Sequence, residues 1–152
     1  METTTERLTL AELAEGLFAD GLRLFSLEGG ADRTREMQGE MDRFRRLAAE
    51  HGHSERNIDL ASFGLCAYLD EKAEGRCRLA MGERYFRGPI RPAEFFARYA
   101  EADGDPELAQ ARQVMLICMV LGYQNENRAA PEEEAIVREA EAIFARGRAA
   151  DA

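Results

Sequence analysis

Three groups of residues in this sequence have the types and spacing to do chemistry. The first is Asp70-Glu71, two acids ending an otherwise apolar helical stretch, Phe63-Gly64-Leu65-Cys66-Ala67-Tyr68-Leu69. Paired carboxylates can act as general acid and base. Neighbouring helical residues point about 100° apart, however, so these two are poorly placed to meet at one reacting atom. A helix dipole disfavours negative charge at its C-terminal end by a few tenths to about 1 kcal/mol. The pair therefore needs a compensating group: an arginine, the amino end of another helix, or a partner protein. The second group is Cys77, flanked by Arg76 and Arg78, whose charges favour a thiolate, although no histidine base is near in sequence. The third is His51-Gly52-His53, the only histidines. Their spacing suits a metal, but without a local third ligand they fit a solvated helix C-cap better.

Cys66 and Cys118 lie among apolar residues, as buried unreactive thiols do. Three cysteines without zinc spacing make neither a disulfide framework nor a zinc site, and reduced thiols in a cytoplasmic setting are the simpler reading. Gly-rich phosphate loops, nucleophile elbows and HExxH motifs are missing. No catalytic, cofactor or metal site is expected.

Charge narrows the partners. Twenty basic against 29 acidic residues leave a net charge of −9 on 152 residues, which disfavours general nucleic-acid binding. Arginine is nonetheless concentrated: Arg76, Arg78, Arg84, Arg87, Arg91 and Arg98 share their stretch with only Glu83 and Glu94, and acidic residues follow it. Such a patch either pairs within the monomer or steers a protein partner. The longest strongly apolar run, Val114 to Leu121, is far short of the ~20 residues that span a bilayer. The first residues lack a signal-peptide pattern.

The elements that must position these residues read as helices. Thr9 and Glu12 form a capping box, and Leu10, Leu13, Leu17, Phe18, Leu24 and Phe25 follow at helical spacing up to Gly29-Gly30. A second helix runs from about Arg33 to Glu50 with Met37, Met41, Phe44, Leu47 and Ala48 on one face, closed by His51-Gly52. Ser54 caps a third, carrying Ile58, Ala61, Leu65, Cys66 and Leu69. Gly75, Gly82 and Gly88-Pro89 break the next stretch into short pieces. Pro92 opens a short helix that buries Phe95, Phe96 and Tyr99. Asp105-Pro106 starts a long one through Leu121, stopped by Gly122, and Pro131 starts the last, with a stripe of Ile136, Val137, Ala140, Ile143 and Phe144. The result is an all-α fold of about seven helices in a single domain over residues 1–152. The helices around Leu65 and Ile117 are its centre, and residues 1–8 and 147–152 are flexible ends. The last helix leaves homodimerisation open.

Two blocks carry a family resemblance. Phe63 to Glu71 resembles the aromatic-x-Leu-Cys-Ala-x-(Leu/Ile)-Asp-Glu signature of the DotU/TssL (IcmH-like) family. Glu94-Phe95-Phe96 is similar to the family's Glu-x-Phe-Phe helix start. Met115 to Tyr123 resembles its Leu-Cys-Leu-x-Leu-Gly-Phe block. The resemblance covers roughly residues 8–146. It implies two packed three-helix bundles in a hook-like arrangement, in an inner-membrane component of a type VI, or related type IVB, secretion system. Implied partners are the IcmF/TssM-type membrane protein and baseplate subunits, with the domain on the cytoplasmic side. By similarity Asp70, Glu71 and Gln124 are docking residues; Arg76, Arg78, Arg84 and Arg87 are added from the arginine-rich stretch. The sequence departs from the family in having no tryptophan, in Gln124-Asn125-Glu126-Asn127 after the Gly-aromatic turn, and in showing no carboxy-terminal membrane helix. Contact with a membrane would come only through such an anchor. The expectation is a non-catalytic scaffold. The alternatives are a soluble regulatory adaptor and a small hydrolase or transferase using Asp70, Glu71 or Cys77.

Overall fold

The computed structural model describes residues 7–25, 33–74 and 79–124. Among these are seven α-helices and one 3-10 turn, with no strand: α1 (Leu10–Leu13), α2 (Glu15–Phe25), α3 (Thr34–Glu50), α4 (Glu55–Ala73), α5 (Met81–Phe86), α6 (Pro92–Glu101), the 3-10 turn Pro106–Leu108, and α7 (Ala109–Val120). The all-α expectation holds, with three differences in detail. The first predicted helix is two, meeting at Ala14, which makes a turn between α1 and α2. The long helix predicted from Asp105 begins as a 3-10 turn whose Glu107 amide is capped by the Asp105 carboxylate at 3.1 Å. Gly82 is not a breaker but the second residue of α5. The stripe from Ile136 to Phe144, with the dimer expectation attached to it, lies outside the described residues, as do Gly29-Gly30 and Gly75.

α4 is the centre. Ser54 accepts the Asn57 amide at its start (3.2 Å), and every residue from Leu60 to Leu69 is buried. A helix apolar all round must be covered on every side; α2, α3, α5, α6 and α7 do so. Each large apolar side chain buried there contributes roughly 1.5–3 kcal/mol.

α7 lies against α4 where Gly64 has no side chain. A Cβ there would sit 2.8 Å from Met115 Cγ, and Cys118 Sγ–H donates to the Gly64 carbonyl at 3.7 Å. At the other end, buried Asn57 accepts the Ala111 amide at 3.0 Å. Burial pushes the Cys66 and Cys118 thiols well above their ordinary range, as expected for unreactive core cysteines. α2 meets α4 through the second close approach, Gly21 against the Tyr68 ring. The Tyr68 hydroxyl donates to the Phe18 carbonyl at 2.8 Å, and the two rings meet edge to face at 6.4 Å.

Between α2 and α3, the Glu40 carboxyl shares a hydrogen bond with Asp20, and this bond, with burial and the charges of Asp20 and Glu36, raises its pKa to about 7. The folded chain therefore binds more protons than the unfolded one between roughly pH 4.5 and 7. The stabilisation is complete at the acid end of that window and is lost as pH rises through it. Glu40→Gln is expected to remove this loss. Because the site is partly solvated, the gain at pH 8 is only about 1 kcal/mol, or about 2–4 °C in Tm, with little change at pH 5. Thermal melts at the two pH values check it, and a variant that gains equally at both contradicts the shared proton.

Candidate functional site

The acid pair sits where α4 ends, and its two carboxylates diverge. Asp70 turns toward α5: its Oδ1 accepts the Met81 amide and its Oδ2 the Gly82 amide, both at 2.9 Å. Of the three compensations the sequence allows for Asp70, the amino end of another helix is the one observed. Ala80, just ahead of α5, is left-handed (φ 53°), which costs a non-glycine residue strain and aims the two amides at Asp70. Gly82 must lack a side chain, because a Cβ would come within 2.7 Å of the Gly88 carbonyl oxygen and 3.2 Å of the Ile90 amide nitrogen. Burial raises the Asp70 pKa, the two donated amides pull it partly back, and Glu83 adds a repulsion.

Glu71 turns the other way, to the end of α7. That helix closes in a Schellman turn: Gly122 (φ 114°) donates to Met119 O at 3.1 Å and Tyr123 to Cys118 O at 3.0 Å. Gln124 follows in a left-handed conformation (φ 54°), and its amide donates to Glu71 Oε1 at 3.1 Å. Its side-chain amide donates to Glu71 Oε2 as well. Tyr123 is buried beneath this link, 4.3 Å from the Phe95 ring, which packs edge to face on Phe96 at 5.2 Å. Burial and the nearby Glu71 carboxylate push the Tyr123 hydroxyl far up.

Asp70, Glu71 and Gln124 are thus brought to one end of α4, with α5 on one flank and the α7 turn on the other. Each carboxylate is held by backbone of a different segment, so the pair is not the convergent acid–base arrangement a hydrolase or transferase needs. Arg84 and Arg87 belong to the α5 flank, and both are exposed. Arg84 reaches Asp42 of α3 at 3.6 Å, beside Tyr85, whose hydroxyl donates to Asp42 at 2.5 Å. Arg87 ends α5 in a left-handed conformation (φ 69°). Arg98, from the same basic stretch, lies 4.2 Å over the Phe63 ring. Arg76, Cys77 and Arg78 lie outside the described residues.

Two sequence expectations change here. The histidine pair is not a solvated cap: His51 does end α3, but His53 is buried at 6% exposure because the chain before α1 folds over it. Arg7 and Leu8, placed by sequence at a flexible end, are tied to that corner. Asp20 and Glu40, the two hydrogen-bonded acids, are not legible as a pair in the sequence because they lie twenty positions apart on two different helices, α2 and α3.

None of the helices among the described residues is long and apolar enough to cross a membrane. Neither a curated protein nor a solved structure matches this chain. A family model does, that of the type VI secretion system protein DotU, and it matches residues 9–151. With nearly the whole chain covered, and with the two cysteine-bearing blocks packed against each other as α4 and α7, the chain belongs to the DotU family of type VI secretion system proteins.

Proposed function

We propose that this chain is a non-catalytic docking domain on the cytoplasmic side of a type VI secretion inner-membrane complex, joining the IcmF/TssM-type membrane protein to baseplate subunits. The observation that carries this reading is the use made of the acid pair. Asp70 and Glu71 each fix a strained backbone segment, around Ala80 and at Gln124, onto the end of α4. That arrangement builds a rigid, shaped surface in place of a reactive centre, and a rigid surface is what lowers the ordering cost of association. Glu71, Gln124, Arg84 and Arg87 are the docking residues on it. Asp70 acts beneath them by holding α5, and Arg76 and Arg78 extend the same basic flank in sequence. The mixed charge of this end favours oriented encounter with a partner of complementary pattern.

The test is recovery of apparatus proteins from a secreting bacterium, comparing wild type with Glu71→Ala, Gln124→Ala and Arg87→Glu. Far-UV circular dichroism and melting curves identify the variants that remain folded. Loss of a docking residue is expected to weaken recovery of the membrane protein or of the baseplate subunits about tenfold. If all three folded variants recover both partners as wild type does, the docking assignment is wrong.

A further inference from the structure

Just ahead of α1, the backbone of residues 7–9 crosses the corner between α3 and α4. That corner is a Schellman turn: Gly52 (φ 83°) donates to Ala49 O at 3.0 Å, and His53 to Ala48 O at 3.1 Å. The turn sets His51 and His53 on either side of Gly52, facing the passing segment. The Leu8 amide donates to His51 Nδ1 at 3.2 Å, and His53 Nε2 stands 2.7 Å from the Leu8 carbonyl oxygen. Arg7 donates to the Gly52 carbonyl at 2.7 Å. One peptide residue is therefore gripped on both its polar groups by two imidazoles.

Donor and acceptor chemistry fixes both protonation states. A carbonyl only accepts, so His53 must carry its hydrogen on Nε2; an amide only donates, so His51 Nδ1 must be bare and its proton must sit on Nε2. Arg7 Nη2, at 3.5 Å from His53 Nδ1, likewise faces a bare nitrogen. A second proton on His51 would set a donor against the Leu8 amide, and one on His53 would set a positive charge against Arg7. We propose that His51 and His53 form an acid-released clasp on the Leu8 backbone, closed while both rings are neutral and opened when His53 takes up a second proton beside Arg7.

The surrounding charges favour the neutral closed form. Arg7 faces His53 from the segment before α1, and Arg45 and Arg46 of α3 and Glu55 of α4 line the cleft beside it. Asp59 holds Arg45 at 2.9 Å, and Glu50 lies 3.8 Å from Arg46. Burial, and then the Arg7 charge, hold His53 below the usual imidazole range, against the opposing pull of the Leu8 carbonyl. The open form, with His53 an ordinary imidazole near pH 6.5, binds more protons; closure is complete above that value and weakens as pH falls through it. Release matters because the next residues place α1: Thr9 is its cap, and the Leu10 amide donates to Gln110 of α7 at 3.0 Å.

Amide exchange on the intact chain tests the clasp. The Leu8 protection factor, corrected for intrinsic rate, is expected to fall about tenfold between pH 7.5 and 5.5. Nitrogen chemical shifts at pH 7.5 should show the Nε2–H tautomer at both histidines. In H51N/H53Q, the Asn Oδ1 and Gln Nε2 stand where the imidazole nitrogens stood and do not titrate, so Leu8 protection should become equal at the two pH values. Unchanged wild-type protection, an Nδ1–H tautomer at His51, or the same fall in H51N/H53Q would each overturn the proposal.

Discussion

Asp70→Ala is expected to lower the stability of this chain by about 2–4 kcal/mol, because it leaves the Met81 and Gly82 amides without their acceptor in a buried place. Water does not readily replace the carboxylate there, since Gly82 is already packed against the Gly88–Ile90 backbone. The loss should be local as well as global. With α5 released, Leu79 and Met81, both buried, lose their seat, and the amides of α5 should exchange faster than those of α7. Asp70→Asn keeps one oxygen acceptor but turns an NH2 toward the other amide, so it should recover less than half of the loss. Urea titration gives the magnitude and amide exchange the location. A variant within about 0.5 kcal/mol of wild type, the scatter of an ordinary surface substitution, would show that Asp70 does not hold α5. The expected instability also explains why the docking test relies on Glu71, Gln124 and Arg87: lost recovery with an Asp70 variant would mix unfolding with lost contact.

The second large effect is a contrast between two helical glycines. In a solvent-facing helix position Gly→Ala stabilises by up to about 1 kcal/mol, through chain entropy. Gly39, exposed on α3 with nothing within 4 Å of where a methyl group would stand, should follow that rule. Gly21 should reverse it. Its methyl would overlap the Tyr68 ring, which is fully buried and pinned through its hydroxyl to the Phe18 carbonyl. The ring cannot swing aside without giving up that bond, so Gly21→Ala is expected to cost about 2–3 kcal/mol net. Denaturant midpoints for the two variants should move in opposite directions. Equal shifts would mean that α2 can slide away from α4 at little cost.

The sequence was most informative where a pattern depends on neighbours in the chain. The Thr9 capping box, the Ser54 cap, Pro92 at a helix start and the Gly122 stop depend on local backbone chemistry, and all are observed. The centrality of α4 and α7 was legible for a related reason: stretches with no polar face have no side to turn toward water. The acid pair was readable as a problem, negative charge at the wrong end of a helix, but not as a solution. Its answers lie at Met81-Gly82 and Gln124, and the left-handed Ala80 and Gln124 that aim those amides are residue types that seldom take that conformation. Gly82 shows the converse error. Glycine reads as a breaker, whereas here its missing side chain allows two backbones to approach, a requirement visible only once Gly88 and Ile90 are in place. The histidines read as a solvated cap because their surroundings come from Arg7 and Leu8, more than forty positions earlier.

The way α2 and α3 lean on α4 has a consequence for synthesis. They precede it in the chain, so on the ribosome they emerge with apolar stripes facing a support that does not yet exist. Stretches around Phe18 and Met41 must wait until α4 (Glu55–Ala73) has been translated before they can settle, and α4 itself stays uncovered on its far side until α7 is made. The order of emergence therefore leaves greasy surface open over most of the nascent chain's history, the interval in which a holding chaperone has most to offer.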